Sequence, residues 1–143
     1  MKWENQRKRY LTYSIPKLKE VADKFCSEFI RRKYTDWKGE TQCYTCPAKK
    51  RWQEMQNGHY NSRIYINTRY YEPNLRPQCY RCNVLLKGNY TEFSIRLERE
   101  TPGILKVLDD WKHRKSEEST RYELLDLIEG FKNKINELTR ENN

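Results

Sequence analysis

Two Cys-x-x-Cys turns, Cys43-Tyr-Thr-Cys46 and Cys79-Tyr-Arg-Cys82, set the main constraint on this chain. Each turn aims two thiolates at one point in space. Two such turns supply the four sulfurs of a tetrahedral zinc site, here Cys43, Cys46, Cys79 and Cys82. A zinc ion there would tie together the two ends of the intervening segment. That segment contains Gly58-His59 and Asn74, and Asn83 directly follows the second turn. The staple would therefore bring Asn83 near His59, although the two are distant in sequence.

A staple suits this composition. Only 36% of the 143 residues are hydrophobic, and the mean hydropathy is -1.17. The length fits one domain with an appendage. So lean a core gains from metal binding that contributes directly to folding. No run approaches the length of a membrane-spanning helix, and the N-terminus lacks the apolar stretch of a signal peptide. The expectation is an intracellular, cytoplasmic protein without a membrane partner. In that compartment paired Cys-x-x-Cys turns read as metal ligands rather than disulfides. A redox pair would not need a second copy, and the βαβ context it favours is missing. Cys26 lies in a helical stretch and reads as a buried small apolar residue.

The formal charge of +9 is unevenly spread. Residues 1–42 hold 11 basic and 6 acidic side chains, residues 43–99 hold 10 and 4, and residues 100–143 hold 8 and 10. The positive field thus belongs to the cysteine region and the N-terminal stretch. A basic body rich in tyrosine and arginine suits a phosphate backbone, although a basic surface also serves solubility alone.

Residues 1–13 are polar, basic and aromatic and read as a loose basic arm. Ser14 is a plausible helix N-cap, with Pro16 in the first turn. Leu18, Val21, Ala22, Phe25, Cys26, Phe29 and Ile30 then form one apolar helix face running to about Arg32. Past the first cysteine turn, Gly58–Tyr60 reads as the end of a short strand, Asn61–Pro73 as an irregular loop and Asn74–Gln78 as a second strand. Cys82–Lys87 reads as a short helix ending at Gly88. A helix is expected over Thr91–Arg99, and another capped by Thr101 with Pro102 following. His113–Ser119 is a polar break. Thr120-x-x-Glu123 is a capping box. Leu124, Ile128, Phe131, Ile135 and Leu138 then make a seam spaced by four and three. That seam allows two readings, packing within its own domain or pairing with a second copy as a homodimer.

Hydrolysis of a phosphodiester requires a base to activate water, a metal to stabilise charge and a held phosphate. His59 is one of two histidines and lies in the stapled segment, which makes it the candidate base. His113 reads as a solvated surface residue. The competing readings of His59 are a zinc ligand or a structural histidine, and four cysteines already fill a zinc site.

Gly58-His59-Tyr60-Asn61-Ser62-Arg63, Arg69-Tyr70, Glu72-Pro73-Asn74, Gln78-Cys79-x-x-Cys82-Asn83 and Gly88-Asn89 together resemble the phage NinG (Rap) recombination protein family. Phe29-Ile30-Arg31 followed by Cys43-x-x-Cys46 fits as well, so the resemblance covers most of residues 14–110. More broadly the segment is similar to His-Asn-His (ββα-metal, or HNH) nucleases of the endonuclease VII type. The resemblance implies an α+β fold: a small zinc-stapled ββα-metal core embedded in helices, with a C-terminal helical extension. It divides the chain into a basic arm (1–13), an HNH-like core with its N-terminal helix (14–100) and the extension (101–143). It implies His59 as general base, Asn74 as the residue that braces the loop, and Asn83 as a ligand of catalytic Mg²⁺ or Mn²⁺ beside structural Zn²⁺. Oxygen donors suit the hard cation and thiolates suit zinc.

One departure stands out. Many such nucleases carry an acidic metal ligand just before the base, where this chain has Gly58. Gln56, Asn57 or Glu72 are the nearby polar residues that a weakly held ion would use. Arg63, Arg69, Arg76, Arg81 and Lys87 surround the motif as a DNA-facing set, and Tyr60, Tyr65, Tyr70 and Tyr71 read equally as stacking or core residues. The implied activity is metal-dependent, structure-selective cleavage of branched DNA, such as a Holliday junction or D-loop, in phage recombination. The alternative is a zinc-stabilised DNA-binding protein whose nuclease site has decayed.

Overall fold

The computed structural model describes residues 2–142, in two compact units: 2–29 with 117–142, and 30–116. The fold mixes helices with two small antiparallel sheets. No helix among the described residues is long and apolar enough to cross a membrane.

The first unit is helical. The basic arm forms a helix, α1 (Trp3–Tyr10), rather than a loose segment. The reason lies far away in sequence: the Lys132 ammonium sits 5.2 Å from the Trp3 ring centroid, and Arg121 donates to the carbonyls of Leu11 and Tyr13. Helix α2 (Ile15–Lys33) starts where expected, with Lys17 N–H donating to Ser14 Oγ at 3.3 Å. Its residues Leu18, Ala22, Cys26 and Phe29 are buried, as the periodicity predicts. The capping box at Thr120 forms fully and opens α6 (Arg121–Glu141). Four residues of the α6 seam, Leu124, Ile128, Phe131 and Ile135, are buried in the single chain. Phe131 lies 6.1 Å from Phe29, ring to ring.

The second unit carries both cysteine turns. Strands β1 (Glu40–Gln42) and β2 (Lys49–Arg51) pair with Thr41 opposite Lys50, and Cys43 N–H donates to Ala48 O at 2.8 Å. The first cysteine turn is thus the tip of a hairpin. Strands β3 (Gln56–His59) and β4 (Leu75–Gln78) pair with Gln56 opposite Gln78 and His59 opposite Leu75. The second cysteine turn follows β4 directly. Tyr44 N–H donates to Pro77 O at 2.8 Å and joins the first turn to β4.

The stretch 60–74 is more ordered than an irregular loop. It contains a one-turn helix, α3 (Ile66–Arg69), and a 3₁₀ turn over Glu72–Asn74. Neither has the length that gives a periodic pattern. Tertiary bonds hold α3 instead: Asn67 Nδ2 donates to the carbonyls of Trp111 and Arg114 at 2.8 and 3.0 Å. The short helix expected over Cys82–Lys87 is a single π-helical turn, Arg81–Leu85. Gly88 closes it with φ +94°, the left-handed conformation expected of that position.

Helices α4 (Tyr90–Glu100) and α5 (Ile104–His113) complete the unit. Thr101 does not cap α5. Its N–H donates to Leu97 O and ends α4, while the Glu98 carboxylate accepts from Gly103 N–H at 2.6 Å and Leu105 N–H at 3.3 Å. A carboxylate from the preceding helix therefore does the capping, in keeping with the positive end of the α5 dipole. Phe93, Leu97, Ile104 and Leu108 are buried together, with Tyr44, Tyr60 and Tyr71 packed around them.

Candidate functional site

The four cysteine sulfurs Cys43, Cys46, Cys79 and Cys82 all lie within 4.8 Å of one another, with Cys46 and Cys79 3.7 Å apart. A zinc–sulfur bond of about 2.3 Å in a tetrahedron spaces its sulfurs at about 3.8 Å, so the donor set fits zinc. Among the described residues these four are the one group of His, Cys, Asp and Glu placed closely enough to share a metal ion. Backbone N–H groups point at the sulfurs: Cys79 N–H to Cys43 Sγ at 3.3 Å and Ala48 N–H to Cys46 Sγ at 3.4 Å. Met55 is buried against the cluster and keeps water away.

Burial raises the Cys43 thiol, but donation from Cys79 N–H and from Thr45 outweighs it and brings Cys43 from 9.0 down to about 7. Burial also pushes Cys46 up to about 12 and raises Cys82. A cation at the centre reverses that penalty by offering the thiolates a partner.

The resemblance includes Gln78 but gives it no role. Its fully buried side chain donates to Thr45 Oγ1 and Gly88 O, both at 2.9 Å, and so links the two cysteine turns. It also explains Gly58. A Cβ on residue 58 would lie 2.7 Å from Gln78 Cγ and Cδ, closer than real Cβ contacts allow. The absence of an acidic residue there follows from packing, because β3 approaches β4 across the Gln78 side chain.

His59 ends β3, half-buried. Its Nε2 faces Arg69 O at 3.2 Å, and its Nδ1 faces Asn57 O at 3.3 Å. Asn74 is fully buried. Its Oδ1 accepts from Asn61 N–H at 2.7 Å, and its Nδ2 donates to Asn61 O and Thr68 O, each at 3.0 Å. Tyr60 N–H donates to Asn74 O at 2.9 Å. Asn61 Nδ2 in turn donates to Leu108 O at 3.0 Å. The residues after His59 are thus tied to both β4 and α5.

Asn83 lies in the π-turn, where its Nδ2 donates to Gln56 Oε1 at 2.6 Å. Gln56 and His59 are the two ends of β3, so that strand joins the Asn83 bond to the His59 ring. Glu72 forms an ion pair with Lys33 at 3.4 Å.

The basic residues divide. Arg63, Arg81 and Lys87 are exposed. Arg69 is half-buried, with its guanidinium 5.6 Å from the Tyr70 centroid. Arg76 differs from the expectation of a DNA-facing cation. Its side chain is only 11% exposed, donates to Leu75 O at 2.8 Å and pairs with Glu100 at 3.2 Å. Its charge is spent inside the fold. Tyr60 and Tyr71 are core residues: Tyr60 packs 5.5 Å from Phe93, and Tyr71 stacks on Trp111 at 4.7 Å. His113 is exposed and pairs with Asp109 on the same helix, as a surface residue would.

A family model described as the bacteriophage lambda NinG protein matches residues 2–141. No curated protein and no solved structure matches the chain.

Proposed function

The chain belongs to the bacteriophage lambda NinG protein family, and from that premise we propose that it is a metal-dependent endonuclease selective for branched DNA in phage recombination. The observation that carries this reading is the β3–β4 hairpin. It places His59 at a strand end, Asn74 beneath the following segment and Asn83 in the turn after the second strand. We take that order of strand, loop, strand and turn as support for an HNH-type core, with a π-turn in the place of its helix.

His59 serves as the base through its tautomer. With the proton on Nε2 donated to Arg69 O, Nδ1 is the nitrogen that would take a proton from water, once water replaces its 3.3 Å contact with Asn57 O. Once Nδ1 is protonated, Asn57 O at 3.3 Å accepts from it and stabilises the imidazolium. Asn74 keeps the Arg69 carbonyl in position by fixing Thr68, its neighbour in α3. A divalent ion bound through Asn83 Oδ1 would supply positive charge at the scissile phosphate. Gln56, bonded to Asn83, orients that amide. Arg63, Arg81 and Lys87 supply exposed cations for the DNA backbone, where phosphate contacts give sequence-independent affinity.

The second reading, DNA binding without cleavage, is favoured by one observation: packing against Gln78 leaves no room at residue 58 for an acidic ligand. The test is incubation of zinc-loaded protein with a labelled four-way junction and its matched duplex, with Mg²⁺ or Mn²⁺. Cleavage of the junction alone supports the nuclease. Tight junction binding without any product supports the second reading.

A further inference from the structure

The π-turn that carries Asn83 ends in an apolar tip. Val84, Leu85 and Leu86 are 44%, 63% and 42% exposed, and Lys87 after them is exposed too. Four consecutive exposed residues make a projection rather than a face. Three adjacent aliphatic side chains in water are unfavourable in any chain, and stand out in one this polar.

The tip is held rigidly. Leu86 N–H donates to Arg81 O at 2.8 Å and Gly88 N–H to Cys82 O at 2.9 Å. Below it, Asn89 Nδ2 donates to Thr45 O at 3.1 Å, and Gln78 Nε2 holds Gly88 O. Lys87 and Asn89 sit at φ +50° and +47°, on either side of Gly88. Side chains rarely adopt that conformation, and it persists only where the surrounding bonds enforce it. Both cysteines of the second turn belong to the four-sulfur cluster and form the base on which the tip stands.

We propose that Val84, Leu85 and Leu86 form a wedge that inserts between unstacked bases at a DNA branch point. The inference rests on the reading of the chain as a branched-DNA protein. DNA suits the tip better than a protein partner does. Three side chains fall far short of the roughly 800 Å² per partner that a stable protein interface buries. Lysine is depleted from protein interfaces, yet the exposed Lys87 directly follows these apolar side chains. Basic flanks with a short apolar projection are what proteins use to neutralise phosphates while prising apart a base step. A branch point already interrupts stacking, so insertion there costs less than in a continuous duplex. The wedge would thereby contribute to the preference for junctions, and Asn83 in the same turn would be carried to the strand beside the opened step.

The test places 2-aminopurine at the branch point of a four-way junction and, separately, within a duplex, in the presence of Ca²⁺. Zinc-loaded wild type should raise the junction fluorescence severalfold and leave the duplex unchanged. Leu85→Ser, at an exposed position, should keep zinc content and duplex affinity, lose most of the fluorescence rise and weaken junction binding about tenfold. Leu85→Met should retain both. An unchanged rise with Leu85→Ser overturns the wedge while junction binding stands. So does a self-association in sedimentation that Leu85→Ser abolishes without altering DNA binding. Failure of wild type to bind any DNA overturns the wedge and the functional reading together.

Discussion

Asn74 binds Asn61 in both directions: its side-chain oxygen accepts from Asn61 N–H at 2.7 Å, and its side-chain nitrogen donates to Asn61 O at 3.0 Å. The carboxamide thus acts as a peptide group would in a strand. It carries the β3–β4 pairing past its last backbone pair, His59 with Leu75, and fixes the chain where it leaves His59. The third bond, to Thr68 O, reaches α3 next to the carbonyl that faces the imidazole.

Asn74→Ala should therefore cost more than activity. It removes three buried bonds and leaves Asn61 N–H, Asn61 O and Thr68 O without their partner. At about 1 kcal/mol per bond with the added cost of stranded groups, a loss of about 3 kcal/mol is expected. Urea unfolding of the zinc-loaded protein checks this. Hydrogen exchange at Asn61 should accelerate even under native conditions. Asn74→Asp should fail as well, because it keeps the acceptor but loses both donated bonds and buries a charge.

Gly58 yields a prediction about a change that looks like a repair. Gly58→Asp supplies the acidic residue that HNH nucleases carry before the base, yet it should lower stability without raising any cleavage. Its Cβ would collide with Gln78, whose side chain ties the two cysteine turns together. Gly58→Ala should be destabilising for the same reason. Gln78→Ala should add less to Gly58→Ala than it costs alone, since it removes the collision. A thermal-melt double-mutant cycle that is simply additive would refute the packing account.

Much of this arrangement is legible in the chain. The cysteine spacing announces the four-sulfur cluster, and the Ser14 and Thr120 caps and the α2 periodicity mark helices correctly, because these patterns are local. The bonds around His59 are not local. Gln78 reads as an ordinary polar residue until its burial between Thr45 and Gly88 is seen. Thr101-Pro102 has the form of a helix start, but Glu98 takes the capping role from one helix away. In sequence Arg76 looks like the exposed Arg63 and Arg81, and only the position of Glu100 shows that it faces inward. Exposure of Val84, Leu85 and Leu86 is equally invisible to a pattern that marks aliphatic residues as core.

Zinc loading should weaken with acid. Cys43 is held at about 7, below its ordinary 9.0, so in the metal-free chain its contribution to stability is fully present above about 9 and is lost as pH falls through about 7. Zinc requires the thiolates and competes with protons in the same direction. Burial keeps Cys46 and Cys82 protonated until metal arrives, so binding at pH 7.5 should release their protons. Calorimetry in buffers of different ionisation enthalpy measures that release. One zinc per chain is expected. Cys79→Ser should lose it together with the β3–β4 hairpin, since Cys79 follows β4 directly and its N–H also bonds Cys43.

His59→Ala should abolish junction cleavage by a factor of about 100 or more, the usual contribution of a general base, while zinc content and junction affinity stay near wild type. The separation follows from where each function resides. On the proposed reading, binding would draw on dispersed cations such as Arg63, Arg81 and Lys87, whereas the imidazole would contribute only as the proton moves. Asn83→Ala should also stop cleavage, and partial rescue by high Mn²⁺ would distinguish a metal ligand from a structural residue. Gln56→Ala separates the roles further. It removes the partner that orients Asn83 and leaves the Asn83 oxygen itself, so its defect should be smaller and should shrink as Mn²⁺ rises. Single-turnover cleavage measured across a Mn²⁺ titration reads all three variants. Wild-type rates from His59→Ala would transfer the chemistry to another residue, and wild-type rates from Asn83→Ala would remove the metal from this turn.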